Sequence, residues 1–111
     1  MGAKKKRVKD GAYLGRVVAL DCLICGNRAT VHHVHRGEGT SQRASDYRSI
    51  PLCSKHHQFG GHGVAIEAGR QAFEKAFGTE EELLEKTWEL LDIEEEAKVR
   101  WRVRDFSKER K

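Results

Sequence analysis

Apolar side chains change their spacing several times along this chain, and each change marks an element. Residues 14–20 form a compact apolar run with Val17-Val18 at its centre, which predicts a short strand. Residues 29–35 are rich in β-branched side chains and imidazoles and predict a second strand. Residues 36–45 hold Gly37, Gly39, Thr40 and Ser41 and read as a loop, after which Ile50-Pro51-Leu52 is again apolar. Ser54 can cap a helix starting near Lys55, and Gly60-Gly61 and Gly63 interrupt it. Ile66, Phe73 and Phe77 share one face of a helix predicted over 64–77, which Gly78 ends. Thr79 followed by Glu82 is a capping box for a further helix whose apolar side is Leu83, Leu84, Trp88, Leu90 and Leu91. From Lys98 the period becomes two, with Val99, Trp101 and Val103 alternating with Arg100, Arg102 and Arg104, a ribbon with one basic face.

The polar residues inside this framework are unevenly placed. All three cysteines and all six histidines lie between Cys22 and His62. Cys22-x2-Cys25 and Cys53-x2-His56 are two knuckles of the kind that close a tetrahedral zinc site, and Gly26-Asn27 supplies the turn that aims the first pair at one ion. His57 in place of His56 is the alternative fourth ligand; C-x2-H repeats the geometry of the first knuckle and leaves His57 for other use. The remaining imidazoles, His32-His33 among them, suffice for a second metal with open positions, which favours catalysis over a plain zinc finger. On a regular strand adjacent side chains face opposite ways, so two imidazoles serving one site require the strand to end or twist at that point.

With 111 residues, 38% of them apolar and 34% charged, the chain has a thin core that a zinc staple would reinforce. An odd number of cysteines does not suit a closed disulfide framework, and CxxC without a secretory signal points to a reducing compartment. No apolar run reaches membrane-spanning length, so a cytoplasmic protein with no membrane association, and a monomer, is expected. Residues 4–9 carry five basic groups and 98–111 carry seven against two acidic, whereas 80–96 hold nine acidic groups and one lysine. Basic ends around an acidic block predict polyanion contacts, with the acidic helix turned away. Lys4, Lys5, Lys6 and Arg7 in the arm, and Arg100, Arg102 and Arg104 in the tail, are the expected non-specific phosphate contacts. Arg36, Arg43, Arg48 and Lys55, close in sequence to the ligands, complete that set. The expected organisation is a flexible arm over 1–12, a folded domain over 13–97 and a basic tail over 98–111.

The run Cys22-x2-Cys-Gly, Val31-His32-His33-Val34 and Ile50-Pro51-Leu52-Cys53-Ser-Lys-His56-His57 resembles the HNH nucleases with a zinc-ribbon frame. Arg36-Gly-Glu-Gly-Thr-Ser-Gln-Arg43-Ala, Gly60-Gly-His-Gly-Val-Ala and Phe77-Gly-Thr-Glu-Glu-Glu-Leu-Leu84 resemble more closely the phage recombination-enhancement (Ref-type) nucleases, over roughly residues 22–91. The resemblance implies an α+β fold: a small zinc-stapled ββα-metal domain with two additional C-terminal helices and basic tails. It implies metal-dependent hydrolysis of DNA phosphodiester bonds with low sequence preference, in phage or prophage recombination in a bacterial host, stimulated by RecA filaments. It also implies roles: His32 is a ligand of the catalytic metal (Mg²⁺, Mn²⁺ or Zn²⁺), His33 is the general base, and His57 and His62 are further ligands, with Glu67 in reserve for His62. The middle asparagine of the HNH pattern would fall near Arg48, where there is none. The competing expectation is a non-catalytic zinc-binding module that contacts DNA.

Overall fold

The computed structural model describes residues 9–34 and 45–102. The expected phosphate contacts Lys4, Lys5, Lys6, Arg7, Arg36, Arg43 and Arg104 lie outside these residues. The elements are α1 (Gly11–Val18), β1 (Thr30–His33), β2 (Ser49–Leu52), a π-helical turn (Lys55–Phe59), a 3-10 turn (Ile66–Ala68), α2 (Arg70–Phe77), α3 (Glu80–Leu90) and α4 (Glu95–Arg102). Together they make a small α+β unit on a two-stranded sheet, and among the described residues no helix is long and apolar enough to cross a membrane.

The sheet pairs β1 and β2 antiparallel, with Thr30 opposite Leu52, His32 opposite Ile50 and His33 opposite Ser49. Two strands alone do not hold together in water. Here Ile50, Leu52 and Val34 are fully buried in one core with Ile66, Phe73, Leu83, Leu84 and Trp88, and Cys22 and Cys53 belong to the same core. The Trp88 indole N–H donates to the Tyr47 carbonyl at 2.8 Å, which fixes α3 against the entry to β2.

Three elements differ from expectation. The run over 14–20 is not a strand but part of α1: Asp10 caps the helix by accepting the Tyr13 N–H, and Tyr13 and Val17, one turn apart, are its buried face. The expected helix over 64–77 is two pieces, a 3-10 turn and α2, divided at Gly69. Of the expected ribbon after Lys98, the described part, residues 98–102, is the end of α4, which runs across the anticipated boundary between 97 and 98. Charge explains the last case. Glu95 and Glu96 occupy the first turn and Arg100 and Arg102 the last, as the helix dipole favours, and Lys98 and Arg102 both reach Glu95. Trp101 then stacks flat on Tyr47, with ring centroids 4.4 Å apart and planes 7° apart. The capping box of α3 is as expected, with Thr79 and Glu82 bonded reciprocally. Leu90, expected on its apolar side, is 52% exposed, and Thr87 is buried in that face instead.

Candidate metal centre

The first knuckle is built by its own backbone. Gly26 N–H donates to the Cys22 carbonyl and Cys22 N–H to the Asn27 carbonyl, a turn in which Gly26 takes φ +82°, open to glycine at little cost. β2 then delivers Cys53, and the π-helical turn carries His56 inward, where its ring meets Phe77 edge-on at 5.3 Å. Cys25 and Cys53 sulfurs lie 3.6 Å apart, and His56 Nδ1 lies 3.3 Å from Cys53 Sγ and 3.8 Å from Cys22 Sγ. A tetrahedral zinc with bonds of about 2.3 Å to sulfur and 2.0 Å to nitrogen sets its ligands about 3.5–3.8 Å apart, so the four groups fit such an ion as they stand. Their ionisation agrees. Burial resists charge on Cys53, but the backbone N–H and imidazole of His56, with the other two thiols, hold its thiol down at about 6. Between the two candidates for fourth ligand, the fold takes His56.

His57 faces elsewhere, and with His32 and Glu67 it forms a second cluster whose ligand atoms lie within 4.8 Å of one another. Two neighbours orient the rings. The Thr30 hydroxyl lies 2.8 Å from the Leu52 carbonyl and 3.0 Å from His57 Nδ1, between two acceptors for its one proton. Nε2 of His57 lies 3.0 Å from Glu67 Oε2, within hydrogen-bond reach of that carboxylate. His32 donates its Nε2–H to the buried carboxylate of Glu80 at 2.7 Å, which leaves the Nδ1 lone pair 3.9 Å from the same Glu67 oxygen. Two ring nitrogens and a carboxylate oxygen thus converge within the reach of one ion. A proton on His57 is disfavoured, because burial and the neighbouring His32 hold that imidazole below 6.5 against the pull of Glu67. A divalent metal fits this donor set, with Glu80 behind His32 and Thr30 behind His57 orienting the ligands. Two nitrogens and one carboxylate on one side leave positions open for other ligands.

Glu80 is the member that sequence reasoning missed. The acidic block 80–96 was expected to face away, yet Glu80 is 4% exposed and is bracketed by His32 and, at 3.9 Å, by Arg70. A glutamate just after a helix cap is common for the dipole alone, so nothing in the sequence marks this one. His62, expected as a ligand, is not in the cluster, and Glu67 stands in its place. The Gly60-Gly61 break follows the π-helical turn, and the exposed His62 ring lies over Gly69, where an added Cβ would come within 2.7 Å of Nδ1.

His33 is the last residue of β1, and it lies near enough to the second cluster for its charge to add, after burial and His32, to what holds the His57 imidazole down. Its Nε2 lies 2.9 Å from Oδ1 of Asp46, a carboxylate 2% exposed. Asp46 Oδ2 accepts the Asp10 N–H at 2.8 Å. Asp10 in turn accepts the Tyr47 hydroxyl at 2.7 Å, and this bond, with that from the Tyr13 N–H, holds its carboxyl below the usual range.

The expected DNA contacts divide. Lys55 and Arg100 are exposed. Arg48 is not available to a phosphate: it is 3% exposed, donates to the Trp101 carbonyl at 2.6 Å and pairs with Glu81 at 3.5 Å. It ties the start of β2 to α4. Arg102 is forked onto Glu85 and also paired with Glu95, which neutralises it locally.

No curated protein and no solved structure matches this chain. A family model described as "Protein of unknown function (DUF968)" matches residues 2–92. That match covers most of the chain, from the basic arm to the end of α3, and the protein belongs to the DUF968 family.

Proposed function

We propose that this protein is a zinc-framed endonuclease of the HNH type, hydrolysing DNA phosphodiester bonds with little sequence preference in phage or prophage recombination. The observation that carries this reading is the convergence of His32 Nδ1, His57 Nε2 and Glu67 Oε2 beside the zinc knuckles, with a third imidazole, His33, next along the strand. A structural zinc alone accounts for Cys22, Cys25, Cys53 and His56; it leaves the second ligand set unexplained. The order of parts, β1 with His32-His33, β2, then a helical turn with His57, is the order of a ββα-metal motif.

His32, His57 and Glu67 would hold a divalent ion, which when bound would supply Lewis-acid stabilisation to the phosphate. His33 takes a proton from water, the oxygen of that water bonds to phosphorus, and the bond to the 3′ oxygen breaks. An imidazole is suited to this exchange near neutral pH, and general-base assistance of this kind is worth about 10²–10⁴-fold. Lys55 and Arg100, with the basic arm and tail, supply phosphate contacts, and a RecA filament is the proposed stimulating partner.

The test is a nicking assay on plasmid, single-stranded and displacement-loop DNA, across Mg²⁺, Mn²⁺ and Zn²⁺, with and without RecA filament, alongside metal content. The expected result is cleavage supported by a second, weaker metal that EDTA removes before the zinc. One tightly held zinc, no second site and no cleavage of any form would instead establish a non-catalytic zinc module.

A further inference from the structure

We infer that Asp46 is a positioning residue for His33: it fixes the imidazole in the tautomer that carries its basic lone pair on Nδ1. The inference rests on the proposed hydrolysis for its catalytic meaning and on local geometry for its substance. Asp46 Oδ1 is 2.9 Å from His33 Nε2, and a carboxylate can only accept there, so Nε2 holds the proton of the neutral ring. The other oxygen does not rotate freely, since Oδ2 accepts the Asp10 main-chain N–H at 2.8 Å. Asp10 is itself held in place: its N–H donates to Asp46, its Oδ1 caps α1 by accepting the Tyr13 N–H at 3.0 Å, and its Oδ2 accepts the Tyr47 hydroxyl at 2.7 Å. The Ser49 hydroxyl donates to the Asp46 carbonyl at 2.7 Å and anchors the backbone from the far side. α1, which holds no metal ligand, thus reaches the candidate base through its cap.

This arrangement makes a sharp prediction for Asp46→Asn. The Asp10 N–H still needs an acceptor, so the amide oxygen turns toward it and the amide NH₂ faces His33. Nε2 must then accept, and the proton moves to Nδ1. The variant keeps the shape of the site and has the wrong tautomer, a change that costs about 10⁴-fold in kcat in a serine-protease triad.

Plasmid nicking with Mn²⁺ is to be measured for the full chain, Asp46→Asn, His33→Ala and the double variant, with metal content, melting curves and long-range ¹H–¹⁵N spectra of the histidine rings. The expected result for Asp46→Asn is a kcat lowered by about 10²–10⁴-fold with KM, both metals and the melt little changed, and a double variant no slower than His33→Ala alone. The ring spectra should show His33 protonated on Nε2 in the full chain and on Nδ1 in Asp46→Asn. A kcat within about twofold of the full chain, or a loss proportional to lost fold or lost metal, would overturn the inference. An Nδ1–H tautomer in the unaltered protein would overturn it too, even if Asp46→Asn did not fold. Failure of the unaltered protein to cut any DNA would refute the proposed function alone, because the ring spectra read the His33–Asp46 pair without turnover.

Discussion

Cys53 joins the zinc ligands to the hydrophobic core, being buried with Leu52, Phe73 and Trp88 and also within reach of Cys25 and His56. Cys53→Ser should therefore lose zinc and fold together. Structural zinc contributes folding free energy directly, and a loss of at least ~3 kcal/mol would lower the melting temperature by about 12–24 °C in a domain of this size. Melting curves with metal analysis check this, and a folded variant with full zinc would remove the frame. Glu80→Gln belongs to the other site. It keeps the volume but not the charge behind His32, so the fold should persist while affinity for Mn²⁺ falls about 10–100-fold, measured by titration calorimetry on the zinc-loaded protein. His57→Ala should likewise stay folded, keep zinc and lose the second metal with cleavage.

At the scale of elements, α4 is tied to the rest through Trp101 and through Arg102, which is forked onto Glu85 of α3. Trp101 stacks on Tyr47 and also meets Tyr13 and Trp88, and its carbonyl receives the buried Arg48 guanidinium. Trp101→Ala should destabilise the protein by about 2–4 kcal/mol, through lost aromatic contacts rather than lost DNA contact. Truncation after Arg102 separates the two roles. It keeps Glu95–Arg102 and removes Arg104, Lys108, Arg110 and Lys111, so the melt should hold while DNA affinity drops, most clearly at low salt. Fluorescence anisotropy across a salt series reads this, and an unchanged salt slope would take the tail out of the DNA-binding account.

For the molecule as a whole, metal and proton compete for one set of groups. The Cys53 thiol is held at about 6 in the folded chain against an ordinary 9, so between those values the unfolded chain binds a proton that the folded one does not. Stability of the metal-free protein should accordingly rise from pH 6 toward pH 9 and lose this contribution below pH 6. Denaturant titrations of chelator-stripped protein across that window check the sign. A flat profile would mean that the thiolate is not favoured by the fold.

Local chemistry carried much of this protein's organisation. The CxxC turn at Gly26, the Thr79–Glu82 capping box and the spacing from Cys53 to His56 act over three or four residues, and short-range geometry admits few alternatives. Where two elements are compatible with one apolar run, as over 14–20 and 98–102, the spacing reads as strand. Asp10 capping Tyr13, and Glu95 holding Lys98 and Arg102, decided both in favour of helix. The second ligand cluster was half legible: His32 and His57 stood out as imidazoles, but Glu67 displaced His62 because the chain turns at Gly61 and Gly63, on either side of His62. Glu80 and Asp46 lie 48 and 13 residues from the histidines they orient, and carboxylates are common in this chain. Only the packing of α3 and α1 against the sheet shows which of them face inward, since burial and partner depend on distances that the order of residues does not contain.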